Sequence, residues 1–261
     1  MSMSMGRALR IGFLLLVLGA VALDAWLTQR RTTSWDKPLR ATVYPIVADG
    51  SAITRAYVDG LKREDFTAIE GFLQREAIRH GVAIDEPLQL RLAPPLAELP
   101  PQPPPDRGVL GTMAWSLHLR GWAWRREAGQ PRPHSQVRLF VLYYDPATSP
   151  RVAHSLGMQK GLIGVVHAFA TRQMAPTNAF VIAHELLHTL GATDKYDPAS
   201  GLPRYPDGYA EPDRAPLFPQ RAAEVMGGRI ALDAGRAEIP ESLSQAVVGA
   251  LTAREIGWGA K

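Results

Sequence analysis

Residues 162–194 read LIGVVHAFATRQMAPTNAFVIAHELLHTLGATD: an apolar, β-branched run, a short polar break, then an apolar segment carrying two histidines and a glutamate. Leu162–Ala170 has the length and composition of a buried strand. Phe180–Leu190 reads as a helix buried on most sides, with Gly191 placed to end it. A strand leading into a helix is the repeating unit of an α/β sheet, and the upstream sequence supplies more such pieces. Arg40–Ala48 is β-rich and stops at the turn signal Asp49-Gly50-Ser51. Arg63–His80 places Phe66, Ile69, Phe72, Leu73 and Ala77 at helical spacing before Gly81, and Leu88–Leu92 alternates as a strand does. Leu110–Trp124 predicts a helix whose Trp115, Trp122 and Trp124 serve core packing, and Val137–Tyr144 predicts another buried strand. This alternation places the chain in the α/β (α+β) class, with no internal repeat.

The 261 residues, 46% hydrophobic and 21% charged, suffice for one globular domain and short appendages, and exclude a disordered or collagen-like chain. The absence of cysteine excludes disulfides, thiolate nucleophiles and Cys-ligated metals, so any metal is held by His, Asp or Glu. Of the net charge of +4, all lies in residues 1–40, where Arg7, Arg10, Arg30, Arg31, Lys37 and Arg40 outnumber Asp24 and Asp36. The remainder is neutral overall, so no nucleic-acid partner is expected. Arg120, Arg125, Arg126, Arg132 and Arg138 form the only other basic concentration, read as a solvated face or as a contact with an anionic envelope surface.

Arg7 and Arg10 precede the apolar run Ile11–Leu23, which continues through Leu27 with only Asp24 interrupting it. Residues 1–27 are expected to be a membrane anchor, or a signal peptide cleaved near Ala20-Val21-Ala22. Either reading exports the rest: an anchored domain facing the periplasm or exterior, or a secreted one. Residues 28–40 are expected to be a polar stem and residues 41–261 a single domain. Within it, residues 94–105 hold seven prolines and read as a stiff surface connection.

The chemistry is concentrated in His184-Glu185-Leu186-Leu187-His188. Four residues of separation put both imidazoles on one helical face, where two nitrogens converge on one ion at about 2.0–2.1 Å. Glu185 projects from the same turn, near enough to take the proton of a metal-activated water without being a ligand. Such a five-residue match arises by accident in about one chain in a hundred of this length. Gly191 then redirects the chain, and Asp194 offers a third ligand, leaving a fourth position open as catalytic zinc requires. Glu224 is the alternative third carboxylate.

The pattern His184-Glu185-x-x-His188-x-x-Gly191-x-x-Asp194 resembles the extended zinc motif of the metzincin metallopeptidases, in the snapalysin-type variant with Asp as third ligand. Glu224-Val225-Met226-Gly227 resembles their methionine turn. The resemblance implies that His184, His188 and Asp194 bind Zn2+, that Glu185 is the general base and that Met226 forms an apolar floor. It implies a zincin-like twisted mixed sheet with a substrate-pairing edge strand, an active-site helix and a C-terminal helix. Leu162–Ala170 is the candidate edge strand and Leu243–Ile256 the candidate final helix. Some metzincins place a tyrosine two residues after the methionine, where this chain has Gly228; Tyr196, Tyr205 and Tyr209 are the substitutes near the motif. Residues 194–213 read as a long ordered loop, with Asp197, Asp207 and Asp213 as turn residues, and His167 as a structural histidine.

The expected function is therefore a zinc-dependent endopeptidase acting on a peptide or protein. The alternative is a membrane-tethered envelope binding or assembly protein with a structural or vestigial metal site. That alternative predicts a closed site and no role for Glu185.

Overall fold

The computed structural model describes residues 10–12, 15–16, 19, 23, 32–104, 108–128 and 135–259. The leader 1–27 lies almost wholly outside the described residues, as do Arg132 and Pro105. Among the described residues no helix is long and apolar enough to cross a membrane.

A five-stranded mixed sheet organises the chain in the order β2-β1-β3-β5-β4. The strands are β1 (Leu39–Val47), β2 (Leu88–Leu92), β3 (Val137–Tyr144), β4 (Leu156–Met158) and β5 (Ile163–Phe169). The first four in spatial order run parallel, and β4 pairs antiparallel with β5. Strand alternation sorts side chains to two faces. Ala41, Val43, Leu139, Val141, Val166 and Ala168 join one buried cluster, and Tyr44, Ile46, Phe140, Leu142 and Ile163 the other. Both faces are covered, which is why these strands read as continuous apolar runs.

The helices are α1 (Ala52–Asp59), α2 (Thr67–Arg79), α3 (Val109–Ala128), α4 (Ala175–Leu190) and α5 (Ala250–Glu255). Helices α1, α2 and α4 pack on the first face; α3 covers the second with Leu119, Trp122 and Ala123. Helix α1 escaped the sequence reading because it buries only Thr54 and Val58. Its one clear signal is Ser51, whose hydroxyl accepts the Thr54 N–H as an N-cap. The proline-rich segment lies over the α3 side: the Leu96 N–H donates to the Pro45 carbonyl, and Trp115 Nε1 donates to the Pro101 carbonyl.

Three expectations need correction. Strand β5 is interior, because the three residues of β4 cover its outer side. The C-terminal helix is confined to Ala250–Glu255, preceded by a 3-10 turn at Leu243–Gln245 and the strand Ala246–Val247 (β7), which pairs with Ala223–Glu224 (β6). The pairing of β7 and the interior hydrogen bond from Val248 N–H to Glu76 hold the backbone extended there. The stretch expected to be a polar stem is, from Thr32 onward, packed against the domain. Trp35 is buried, packs tilted against Trp258 with ring centroids 5.3 Å apart and donates its indole N–H to the Ile256 carbonyl at 2.7 Å.

Candidate metal centre

Helix α4 starts against the end of β5. The Asn178 amide accepts the Phe169 N–H and donates to the Phe169 carbonyl, so the helix leaves the sheet in a fixed direction. Its apolar residues Phe180, Ile182, Ala183, Leu186, Leu187 and Leu190 sink into the first core. This leaves His184 and His188 one turn apart, with ring centroids 4.7 Å from each other. Gly191 caps the helix at φ 107°, a left-handed conformation that glycine adopts without a Cβ penalty. The redirected chain brings Asp194 back to the histidines.

Three atoms define the centre. His184 Nε2 and His188 Nε2 are 3.1 Å apart, and Asp194 Oδ1 lies 3.3 Å and 3.1 Å from them. Ligands at zinc bond lengths in a tetrahedron are separated by about 3.3 Å. The opposite ring nitrogens face backbone carbonyls: His184 Nδ1 meets Val225 O at 2.9 Å, and His188 Nδ1 meets Ala192 O at 2.8 Å. A carbonyl only accepts, so each Nδ1 carries the proton and each Nε2 presents a lone pair. Two lone pairs and a carboxylate oxygen at this range need a cation among them, either a proton or a metal ion. The group therefore lies close enough to hold a metal, and it is the only such group of His, Asp and Glu among the described residues.

The charges follow. Burial disfavours the His184 cation, but Asp194, Glu185 and the Val225 carbonyl together outweigh it and raise its pKa above the ordinary value. Burial likewise opposes ionisation of Asp194, yet its contacts with the His184 and His188 imidazoles hold its carboxyl well below the usual range. A proton on His184 thus competes directly with a metal. Metal affinity is expected to weaken as pH falls through this raised pKa, and binding below it to release a proton. Calorimetric titration of the metal-free protein in buffers of different ionisation enthalpy measures that release; a heat independent of buffer would refute it.

Glu185 is buried, and its Oε2 has no hydrogen-bond partner. Burial pushes its carboxyl pKa up, and the two imidazoles only partly restrain the rise. The backbone of β4 lies directly against it. Gly157 faces Gly164 across the ladder, and a Cβ at Gly157 would come within 2.4 Å of both Glu185 O and His188 Cβ. The edge strand can approach the helix this closely only because residue 157 has no side chain.

Beneath the histidines, the turn at Glu224–Gly228 is held by Glu224. One carboxylate oxygen accepts the Gly227 N–H, and the other accepts the Gly249 N–H and the Thr252 hydroxyl. Glu224 is thus a buttress rather than a third ligand. Met226 is fully buried and accepts the Lys195 N–H on its carbonyl at 2.9 Å, while Val225 next to it orients His184. Asp194→Ala is expected to weaken metal binding by about a hundredfold or more, whereas Glu224→Gln retains the metal. Competition with a chelator of known affinity separates the two; equal losses would reopen the assignment of the third ligand.

No family model matches the chain, and no curated protein matches it. The geometry of the centre also involves residues that its motif does not contain. Lys195 is buried and pairs with Glu255 of α5 at 2.6 Å, and the same carboxylate accepts the Thr193 N–H and hydroxyl. Residues on both sides of Asp194 are thereby tied to the final helix. A buried lysine beside the motif is the only sequence hint of this clamp, and its partner sixty positions away has none. Of the three tyrosines, Tyr196 is near the centre, its ring 6.4 Å from that of His184. Burial and the adjacent Asp194 push its phenol up to about 12. Tyr205 and Tyr209 pack on each other, 5.6 Å between centroids. Asp197 accepts from Ala199 N–H and Ser200 N–H as a turn residue. His167 stacks on Tyr144 and hydrogen-bonds its hydroxyl at 3.0 Å, a packing role.

Proposed function

We propose that this chain is a zinc-dependent endopeptidase related in design to the metzincins, with Glu185 as general base. The observation that carries the reading is the buried, unpartnered Glu185 carboxylate oxygen beside the three-atom centre. A buried acid without a partner is costly, and a structural metal site has no use for it. The side chain of Asp194 is 43% exposed, so the centre opens to solvent as a catalytic site must. The His2Asp donor set suits zinc.

When bound there, zinc supplies Lewis acidity toward a peptide carbonyl and lowers the pKa of water. The protein's own groups do the rest. Val225 and Ala192 fix the imidazole tautomers, and the Glu224 turn and the Lys195–Glu255 clamp hold Val225 and Asp194 in place. Glu185, its pKa raised by burial, takes the proton from the attacking water and delivers it to the departing amine. The second proton of the water passes from the nascent carboxylic acid to the amine, so the products are a carboxylate and an ammonium ion and the proton count closes. Strand β4 is the short antiparallel edge beside the helix, and it supplies free backbone groups along which an extended peptide can align next to Glu185 and His188. The apolar N-terminal run supports placing the domain beyond the cytoplasmic membrane, tethered or released.

The test is cleavage of a mixed peptide library by the chain from Thr28 onward, which keeps the Trp35 contacts. Cleavage that is abolished by a chelator and restored by zinc is the expected result. A loaded protein that cuts nothing in the library would favour the binding or assembly alternative.

A further inference from the structure

Helix α3 is apolar on both sides. Its inner side seals the second face of the sheet, while Leu110, Met113, Leu117 and Trp124 are 82%, 58%, 63% and 62% exposed. Their spacing of three, four and seven residues puts them in one stripe, about 21 Å long at 1.5 Å per residue. Single exposed apolar residues are ordinary, but a continuous stripe marks a contact. Arg120 borders it on one side and Arg125 on the other, both exposed and neither in an ion pair among the described residues. The only acidic residue of the helix, Glu127, is turned inward, where it accepts from Arg138 and Ser135. An apolar strip with tryptophan, flanked by arginines and free of outward carboxylates, is the pattern of a helix lying in a lipid headgroup layer. The chain also delivers the domain there. The apolar run ends at Leu27, five residues before Thr32, and five residues of chain reach at most about 18 Å.

We propose that the outer face of α3 docks on an anionic bilayer surface, so that the sheet shields α4 and its metal centre from the lipid. This inference does not depend on the reading of the metal centre. Two arginines near a charged surface correspond to about a 30-fold preference for anionic over zwitterionic lipid.

The absence of cysteine allows unique spin labels. Leu117→Cys places one on the stripe, and Ile78→Cys places one at an exposed position of α2, on the other side of the sheet. The full chain is reconstituted with vesicles of phosphatidylcholine, or of phosphatidylcholine mixed with phosphatidylglycerol. Shielding from a water-soluble relaxing agent is then read at each label. The label at 117 is expected to be shielded on the anionic vesicles, with a docked-to-undocked ratio about 30-fold above that on phosphatidylcholine, while the label at 78 stays open on both. Arg120→Glu combined with Arg125→Glu should return position 117 to the phosphatidylcholine level. A label at 117 open on both lipids would overturn the proposal. Equal shielding on both would also overturn it, assigning the stripe to a second copy of the chain or to the N-terminal run.

Discussion

Glu185→Gln is expected to lower peptide hydrolysis by about 10²–10⁴-fold, the usual worth of a positioned general base, while leaving the zinc content unchanged. The two halves of that result are separable because the side chain lies beside the ligand set and outside it. His184, His188 and Asp194 keep their mutual distances of 3.1–3.3 Å without any contribution from residue 185. The fold should not weaken in the metal-free protein, since the substitution removes a carboxylate whose buried oxygen has no partner. The measurement is kcat on a cleaved peptide beside metal stoichiometry and a thermal midpoint. Full activity in the substituted protein would end the proposed mechanism. Loss of metal together with activity would instead recast Glu185 as a ligand or a structural support.

Gly157→Val should damage the same site from the other side. The added Cβ would sit 2.4 Å from Glu185 O and from His188 Cβ, and neither the helix backbone nor a Cβ attached to it can swing aside. Strand β4 must move away from α4. Overpacking of this kind costs about 1–3 kcal/mol, which for a domain of this size lowers the thermal midpoint by about 3–10 °C. A displacement near 1 Å at the reacting groups is worth about 10²-fold in rate. The paired observation is decisive: activity should fall far more than the lost stability explains at a temperature where the protein remains folded. Unchanged activity would show that β4 does not position substrate.

Much of this molecule is legible in its amino-acid order. The His184/Glu185/His188 triplet is local, because 3.6 residues per turn suffice to place two imidazoles on one face. Gly191 was readable for a similar reason, since an apolar helix followed by glycine has a known way of ending. Strands β1, β2, β3 and β5 announced themselves because each is buried on at least one face and long enough to show a pattern. Helix α1 did not, since two buried residues make no period. The three residues of β4 are too few to carry one, so Leu162–Ala170 looked like the sheet edge when it is covered. The final helix was overdrawn because its apolar spacing persists through Ala246–Val247, whereas pairing with β6 keeps those residues extended.

What the amino-acid order determined by itself is the chemistry on offer: two histidines, a glutamate and an aspartate at spacings that one helix and one turn can gather. Which carboxylate joins the histidines was decided only in three dimensions, where Asp194 reaches them and Glu224 is consumed by hydrogen bonds from Gly227 in its own turn and from Gly249 and Thr252 at the start of α5. The tertiary structure also chose Tyr196 over Tyr205 and Tyr209, set Gly157 against the active helix, and locked Lys195 to Glu255. These are contacts between residues far apart in the chain. Local periodicity reports how a segment buries itself, and it is silent about which distant group fills the space beside it.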